Sequence, residues 1–207
     1  DEAVYGGECG LYESRAQAKV RTPDYNKVRQ NLFFKTIEGK YRVLDDGQAP
    51  KSGRKSIGVP RTLTFFQMGM FWTHLFDRLG YDVVITSETD NRIVDKGIEA
   101  MTCEACFPVK ISHGHTALLK DRVDFLFLPL MIEMEAPCDK KGYYCPYLEA
   151  NTYMVKAALN LDSKQILKPA IYLKEGQTAM RQAFKDEFVR LGLPFDPAMR
   201  LELVGQR

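Results

Sequence analysis

The chain has little of what marks most functional classes. Among its 207 residues only three are histidine and one is tryptophan. No apolar run reaches the roughly 18 to 20 residues that cross a bilayer, and the opening DEAVYGGECG is acidic and glycine-rich, unlike an export leader. No membrane partner is expected. An excess of one charge is missing too: 29 Lys+Arg stand against 27 Asp+Glu, for a net charge of +2, and the basic residues form no run or stripe. Nucleic acid is therefore not an expected partner. Neither GxGxxG nor GxxxxGK[ST] follows the first strand, so the two familiar nucleotide-binding loops are absent. The cysteines are few and odd in number, five in all, in a chain large enough to fold without covalent staples. That excludes a secreted disulfide scaffold. Because the sequence opens on Asp1 and stops at LELVGQR, we expect a fragment of a larger protein.

What is present is an alternation of strands and helices. Residues 1–56 read as an irregular N-terminal extension with one amphipathic helix from about Asp24 to Phe34, capped by Asp24. Residues 57–207 read as an α/β domain. IGVP at 57–60 is a short strand, and Met68, Phe71, Trp72, Leu75, Phe76 and Leu79 then recur at helical spacing up to Gly80, a C′ glycine. YDVVIT (81–86) is strand-like, and Thr89 or Asp90 can cap a helix with Ile93, Val94 and Ile98 on one face. Pro108 opens a helix to about Lys120, and VDFLFL (123–128) suits a strand covered on both faces. Residues 129–148 read as a long loop, followed by a helix from about Glu149 to Asn160, a strand at 170–173 and a helix over 176–191. The fold class is α/β, a Rossmann-like or flavodoxin-like, mostly parallel sheet flanked by helices.

Four of the five cysteines, Cys103, Cys106, Cys138 and Cys145, fall within 43 residues, spaced C-x2-C, then 31 residues, then C-x6-C. Cys9 stands apart in the extension. In a parallel α/β sheet the strand C-termini and helix N-termini share the edge where ligands bind. Cys106 lies at the mouth of the helix opened by Pro108, where free N–H groups and the helix dipole favour negative charge. Cys138 and Cys145 lie in the loop that leaves the 123–128 strand. Thiolate ligation suits iron–sulfur clusters or zinc. Burial as small hydrophobes is the alternative for each, and thiol redox chemistry at Cys103-x-x-Cys106 is a further one.

His113 and His115 are two apart and point in different directions from a regular helix, so they cannot chelate together. His115 falls on the apolar stripe as a hydrogen-bonded core histidine, whereas His113 is free to face a ligand. Gly114 between them lets another backbone approach. Arg61, directly after the first strand, can pair with an anion such as phosphate or equally stand in a surface salt bridge. Phe71, Trp72 and Phe76 read as core.

Several phrases together, IGVPRTL, FWTHLFDRLGYDVVIT, CFPVKISHGH, VDFLFLPL and YYCPY, resemble the domain that follows the ATPase modules in acyl-CoA dehydratase activase-related proteins, the CoA-substrate-specific enzyme activases. That domain is distantly similar to subunits of 2-hydroxyacyl-CoA dehydratases and benzoyl-CoA reductases. The resemblance implies a cytoplasmic protein of anaerobes in which iron–sulfur centres carry low-potential electrons. It implies a [4Fe–4S] or related cluster with Cys106 and Cys145 as its first ligands, Cys138 third and Cys103 a substitute, since relatives more often carry serine there. Implied partners are an ATPase activase module of the same or a neighbouring chain and an acyl-CoA dehydratase or reductase. The alternative is a docking module whose thiols bind zinc or no metal, because the residues offer no complete catalytic set.

Overall fold

A computed structural model describes residues 23–37, 41–44, 53–134 and 142–195. The chain divides into two units, Asp1–Thr36 and Ile37–Arg207. Helix α1 (Tyr25–Ile37) is the described element at the end of the first, and Asp24 caps it as expected, its Oδ1 accepting from Lys27 N at 3.0 Å. Everything that follows belongs to the second unit.

Five parallel strands, β1 (Arg42–Leu44), β2 (Ser56–Val59), β3 (Asp82–Thr86), β4 (Phe125–Phe127) and β7 (Ile166–Leu167), form a sheet in the order β1-β3-β2-β4-β7. The α/β class read from the sequence is the observed one. Strand β1 lies within the stretch read as an extension, yet it is the edge strand of this sheet, Leu44 opposite Thr86. Between the strands run α2 (Phe65–Arg78), α3 (Asn91–Ala100), α4 (Phe107–Leu119) and α5 (Pro146–Ala158), and α6 (Gly176–Arg190) closes the domain.

Side chains alternate across the sheet, as strand geometry requires. One face presents Leu44, Val84, Leu126 and Ile166, which cluster with Leu119 of α4 and Val155 of α5. The other presents Phe125 and Phe127, and here the packing is aromatic. The Phe127 ring lies 5.1 Å from Trp72 and 4.8 Å from Phe76, both on α2, and stacks on Phe184 of α6 at 6.1 Å. Trp72 and Phe76 are thus core, as read. Helix α2 stops where Gly80 takes a φ of 81°, with Gly80 N bonded to Asp77 O and Tyr81 N to Phe76 O. The Tyr81 and Phe76 rings meet edge to face across this closure, the contact that accompanies a Schellman end.

At the same edge, where the strands begin, Ser56 fastens β2 to β4. Its Oγ donates to Asp124 Oδ2 at 2.7 Å and accepts from Asp124 N at 2.9 Å, while Ser56 N also donates to Oδ2. These bonds hold the Asp124 carboxyl below its ordinary range. Ser56 is 2 % exposed, and Ser56→Ala would leave Asp124 N without its partner, while Oδ2 loses the hydroxyl and keeps the N–H of residue 56. A loss of about 1 to 2 kcal/mol is expected in urea unfolding, by the usual cost of a removed buried partner.

The long loop read over 129–148 is in part a second sheet. Strand β5 (Leu130–Met134) pairs with β8 (Ala170–Tyr172) in parallel and with β6 (Gly142–Tyr143) antiparallel. Its register explains its origin. Leu126 faces Ile166 and Phe127 faces Leu167 in the first sheet, and Leu130 faces Ala170 and Met131 faces Ile171 in the second, a constant offset of 40 residues. Pro129 and Pro169 stand opposite each other under that same offset. Neither can donate to a ladder, so one pair of strands is cut into two sheets where the prolines meet.

Helices α3 and α4 cross almost backbone to backbone. A Cβ on Gly97 would overlap the carbonyl of Lys110, and one on Gly114 would overlap the carbonyl of Ile93. This is the close approach that Gly114 was expected to allow. It also turns α3 so that Ile93 and Gly97 are buried while Ile98, expected on the buried face, is exposed.

Candidate functional site

The chain runs from β2 outward to β3, then returns across β2 to β4 on its other side. Neighbouring strands whose connections leave in opposite directions open a crevice at their C-terminal ends. The described residues place a cleft there, open to solvent at its mouth, walled by Val59, Pro60 and the turn from Thr62 to Phe65, by Phe127, Leu128 and Pro129 at the end of β4, and by Leu148 and Asn151 of α5. Trp72 also lines it, at 1 % exposure, and its Nε1 has no hydrogen-bond partner.

The turn entering α2 is held in an uncommon shape. Leu63 has a φ of 52°, and Phe65 N donates to Thr62 O at 3.0 Å across it. A residue with a β-carbon in the left-handed region costs on the order of 1 kcal/mol, and such residues gather at ligand clamps and switches.

On the other face, α4 and α5 lie side by side and parallel. Two sets of bonds fix this. Near the lower ends Gln165 Nε2, after α5, donates to Lys120 O and Val123 O, after α4. Further up, Ser112 Oγ of α4 donates to Asn151 Oδ1 of α5 at 2.7 Å, a buried pair 39 residues apart. Cys106 and Cys145 are also 39 residues apart, each six residues before its member of that pair, and each is the N-cap of its helix. The two thiols therefore sit at the same level, about 9 Å of helix rise above the Ser112–Asn151 bond. Both are exposed, and neither caps its helix through a side-chain hydrogen bond. Phe107, Tyr143 and Tyr147, close to them in sequence, are exposed aromatics. Cys103 is exposed just ahead of α4. Cys138 and Cys9 lie outside the described residues.

The sequence reading starts α5 near Glu149, whereas it begins at Pro146. The signal was present: a proline directly after Cys145 takes the N1 position that proline favours, while Pro108 stands one residue further in, at N2 of α4. Ser112 and Asn151, which align the two helix mouths, carry no pattern that sequence reasoning could single out.

Between β2 and β3 the same edge holds a polar cluster. His115 is fully buried, with Nδ1 2.7 Å from Thr86 Oγ1 and Nε2 3.0 Å from Thr89 Oγ1. Thr86 Oγ1 also accepts from Arg61 N at 2.8 Å. Burial, with the Arg61 charge adding to it, brings the His115 pKa down to about 4, against a smaller opposing pull from Asp90. His115 is the bonded core histidine the stripe predicted. Arg61 reaches this edge as expected, but it is 6 % exposed and pairs with Glu88 at 3.5 Å. Burial lowers its pKa, and Glu88 offsets part of that. His113 is also buried, its Nδ1 2.8 Å from Val109 O. Asp90 is the residue that caps α3, accepting from Ile93 N at 2.9 Å.

Among the described residues no three His, Cys, Asp or Glu side chains stand together where they could hold a metal ion, and no helix is long and apolar enough to cross a membrane. The donor type at the helix mouths nonetheless fits a thiophilic centre. Soft sulfur ligands, two of them aligned and open to solvent, stand where unpaired helix N–H groups receive negative charge.

Fold and edge together define a doubly wound α/β domain with a cleft at its switch point and cysteines at two helix mouths. The chain belongs to the family of the CoA enzyme activase uncharacterised domain, which it matches over residues 56–198. This bears out the resemblance drawn from IGVPRTL and CFPVKISHGH. No curated protein and no solved structure matches the chain.

Proposed function

We propose that this domain serves in the activation of a CoA-substrate enzyme by holding an iron–sulfur cluster, [4Fe–4S] or a related form, at its thiol edge. Cys106 and Cys145 are the first ligands, Cys138 the third, and Cys103 the fourth or a substitute. The observation that carries the reading is the shared 39-residue offset, which sets two exposed cysteines level at the mouths of two parallel helices. A bound cluster would supply a one-electron carrier. The chain's own part is to present sulfur ligands on a rigid pair of helices and to direct free N–H groups of both first turns toward the anionic centre. Electrons would come from an ATPase activase module of the same or a neighbouring chain and pass to an acyl-CoA dehydratase or reductase, in the cytoplasm.

The test is iron and acid-labile sulfide content after anaerobic expression. About four of each per chain are expected for a Cys₄ [4Fe–4S] site, and Cys106→Ser with Cys145→Ser should abolish both. Unchanged metal content in that double variant would overturn the assignment. A second reading is a docking module with zinc-bound or metal-free thiols, since the residues named above form no recognisable acid–base or nucleophile set. Zinc without sulfide, or no metal after reconstitution, would decide for it.

A further inference from the structure

The cleft at the switch point has a chemistry separate from the thiols. Its walls are mostly apolar, with Val59, Leu63, Phe127 and Leu128 among them, and none of the described residues that line it has a charged side chain. Its polar side chains among the described residues are Thr62, Thr64 and Asn151, and Trp72 borders it from beneath its surface. The last is the unusual member. Trp72 has one polar atom, Nε1, a donor only, and that atom is buried with no partner. The rings packed around the indole, Phe71, Phe127 and Phe184, contain no acceptor. Buried donors left unmatched are rare and call for a reason.

We propose that the cleft binds a short apolar chain carrying an uncharged carbonyl oxygen, which accepts the hydrogen bond that Trp72 Nε1 lacks. An anion is disfavoured because no cationic side chain among the described residues lines the site to offset its desolvation. A wholly apolar guest would leave the donor unmatched. Nε1 is sealed from the cleft, so seating the carbonyl requires one wall to yield, and the positive φ of Leu63 marks the Thr62–Phe65 turn as the strained one. The inference goes beyond the thiol reading and does not depend on it. A cluster-free protein would keep this cleft.

Trp72 is the only tryptophan, so its emission reports on the site directly. The probe is N-methylhexanamide, with hexanoate as the charged counterpart of equal chain length. The amide should produce a saturable change in emission and bind at least about fivefold more tightly than hexanoate. Calorimetry should then show about tenfold weaker binding in Trp72→Phe, which keeps the ring and loses the donor, and none in Thr62→Phe, which fills the mouth. Circular dichroism checks that both variants fold. No saturable change up to the solubility limit, tighter binding of hexanoate, or undiminished affinity in folded Trp72→Phe would each overturn the proposal. Because iron plays no part in the readout, an unresponsive cleft leaves the thiol assignment standing, and loss of metal leaves this one standing.

Discussion

Replacing Gly114 with alanine should destabilise the domain by about 3 kcal/mol or more, in the upper range for overpacking, although alanine is the better helix former by about 1 kcal/mol. The reason is what the new methyl group meets. At Gly114 it is the carbonyl of Ile93, and at Gly97 the carbonyl of Lys110, so the obstacle is main chain on the facing helix in both cases. A side chain in the way could change rotamer, but a carbonyl held in its own helix cannot. Helices α3 and α4 would have to move apart, and α4 also carries Leu119 into the core cluster and Ser112 onto α5. Gly97→Ala should behave alike. The control is Gly69 in α2, where the nearest atoms at about 3.0 Å belong to the Phe65 ring, which can shift. Gly69→Ala is expected within about 1 kcal/mol of the parent, since the propensity gain offsets a small repacking cost. Urea midpoints for the three variants check the ordering. A Gly114→Ala protein as stable as the parent would mean that the two helices do not cross at contact distance.

The crossing also shows what a sequence conveys and what it withholds. Gly114 announces a close approach, because glycine in a helix needs a reason, but nothing announces that Gly97, on another helix, is its counterpart. Strands β2, β3 and β4 were legible as apolar runs ended by a proline or a polar turn, and Gly80 and Asp90 were legible as end signals because each acts on its own neighbours. The second sheet was legible only in β8, since β6 has two residues and β5 starts behind a proline that normally ends a strand. Only the pairing of Pro129 with Pro169 explains why strand resumes, and that pairing is a fact of the fold. The site divides in the same way. Chemical type and the edge of the sheet pointed to the cysteines, whereas the alignment of Cys106 with Cys145 depends on how α4 packs on α5. The switch-point cleft draws its walls from β2, α2, β4 and α5 together, so no single stretch of sequence carries it.

Acidification should weaken the protein through His115 before most carboxylates titrate. The imidazole is neutral in the fold, with a pKa near 4, whereas the unfolded chain gives it an ordinary value near 6.5. Between those two values the unfolded state binds a proton that the folded state refuses, so stability rises with pH across the window and is lost as pH falls through it. The full difference amounts to roughly 3 kcal/mol, of which about 2 kcal/mol is gone by pH 5. Burial is the main cause. Asp90 provides some relief to a charged imidazole, but the Arg61 charge opposes it, and the Thr86 hydroxyl that faces Nδ1 already accepts the Arg61 N–H. Unfolding free energies measured at pH 7.5 and pH 5 should differ by about 2 kcal/mol more in the parent than in His115→Asn, which keeps a polar amide beside Thr86 and has no group to titrate. The variant will be weaker at pH 7.5, so the decisive quantity is the slope. Equal slopes in the two proteins would mean that His115 is protonated with ordinary affinity in the fold, and that the Thr86–His115–Thr89 cluster is open to water.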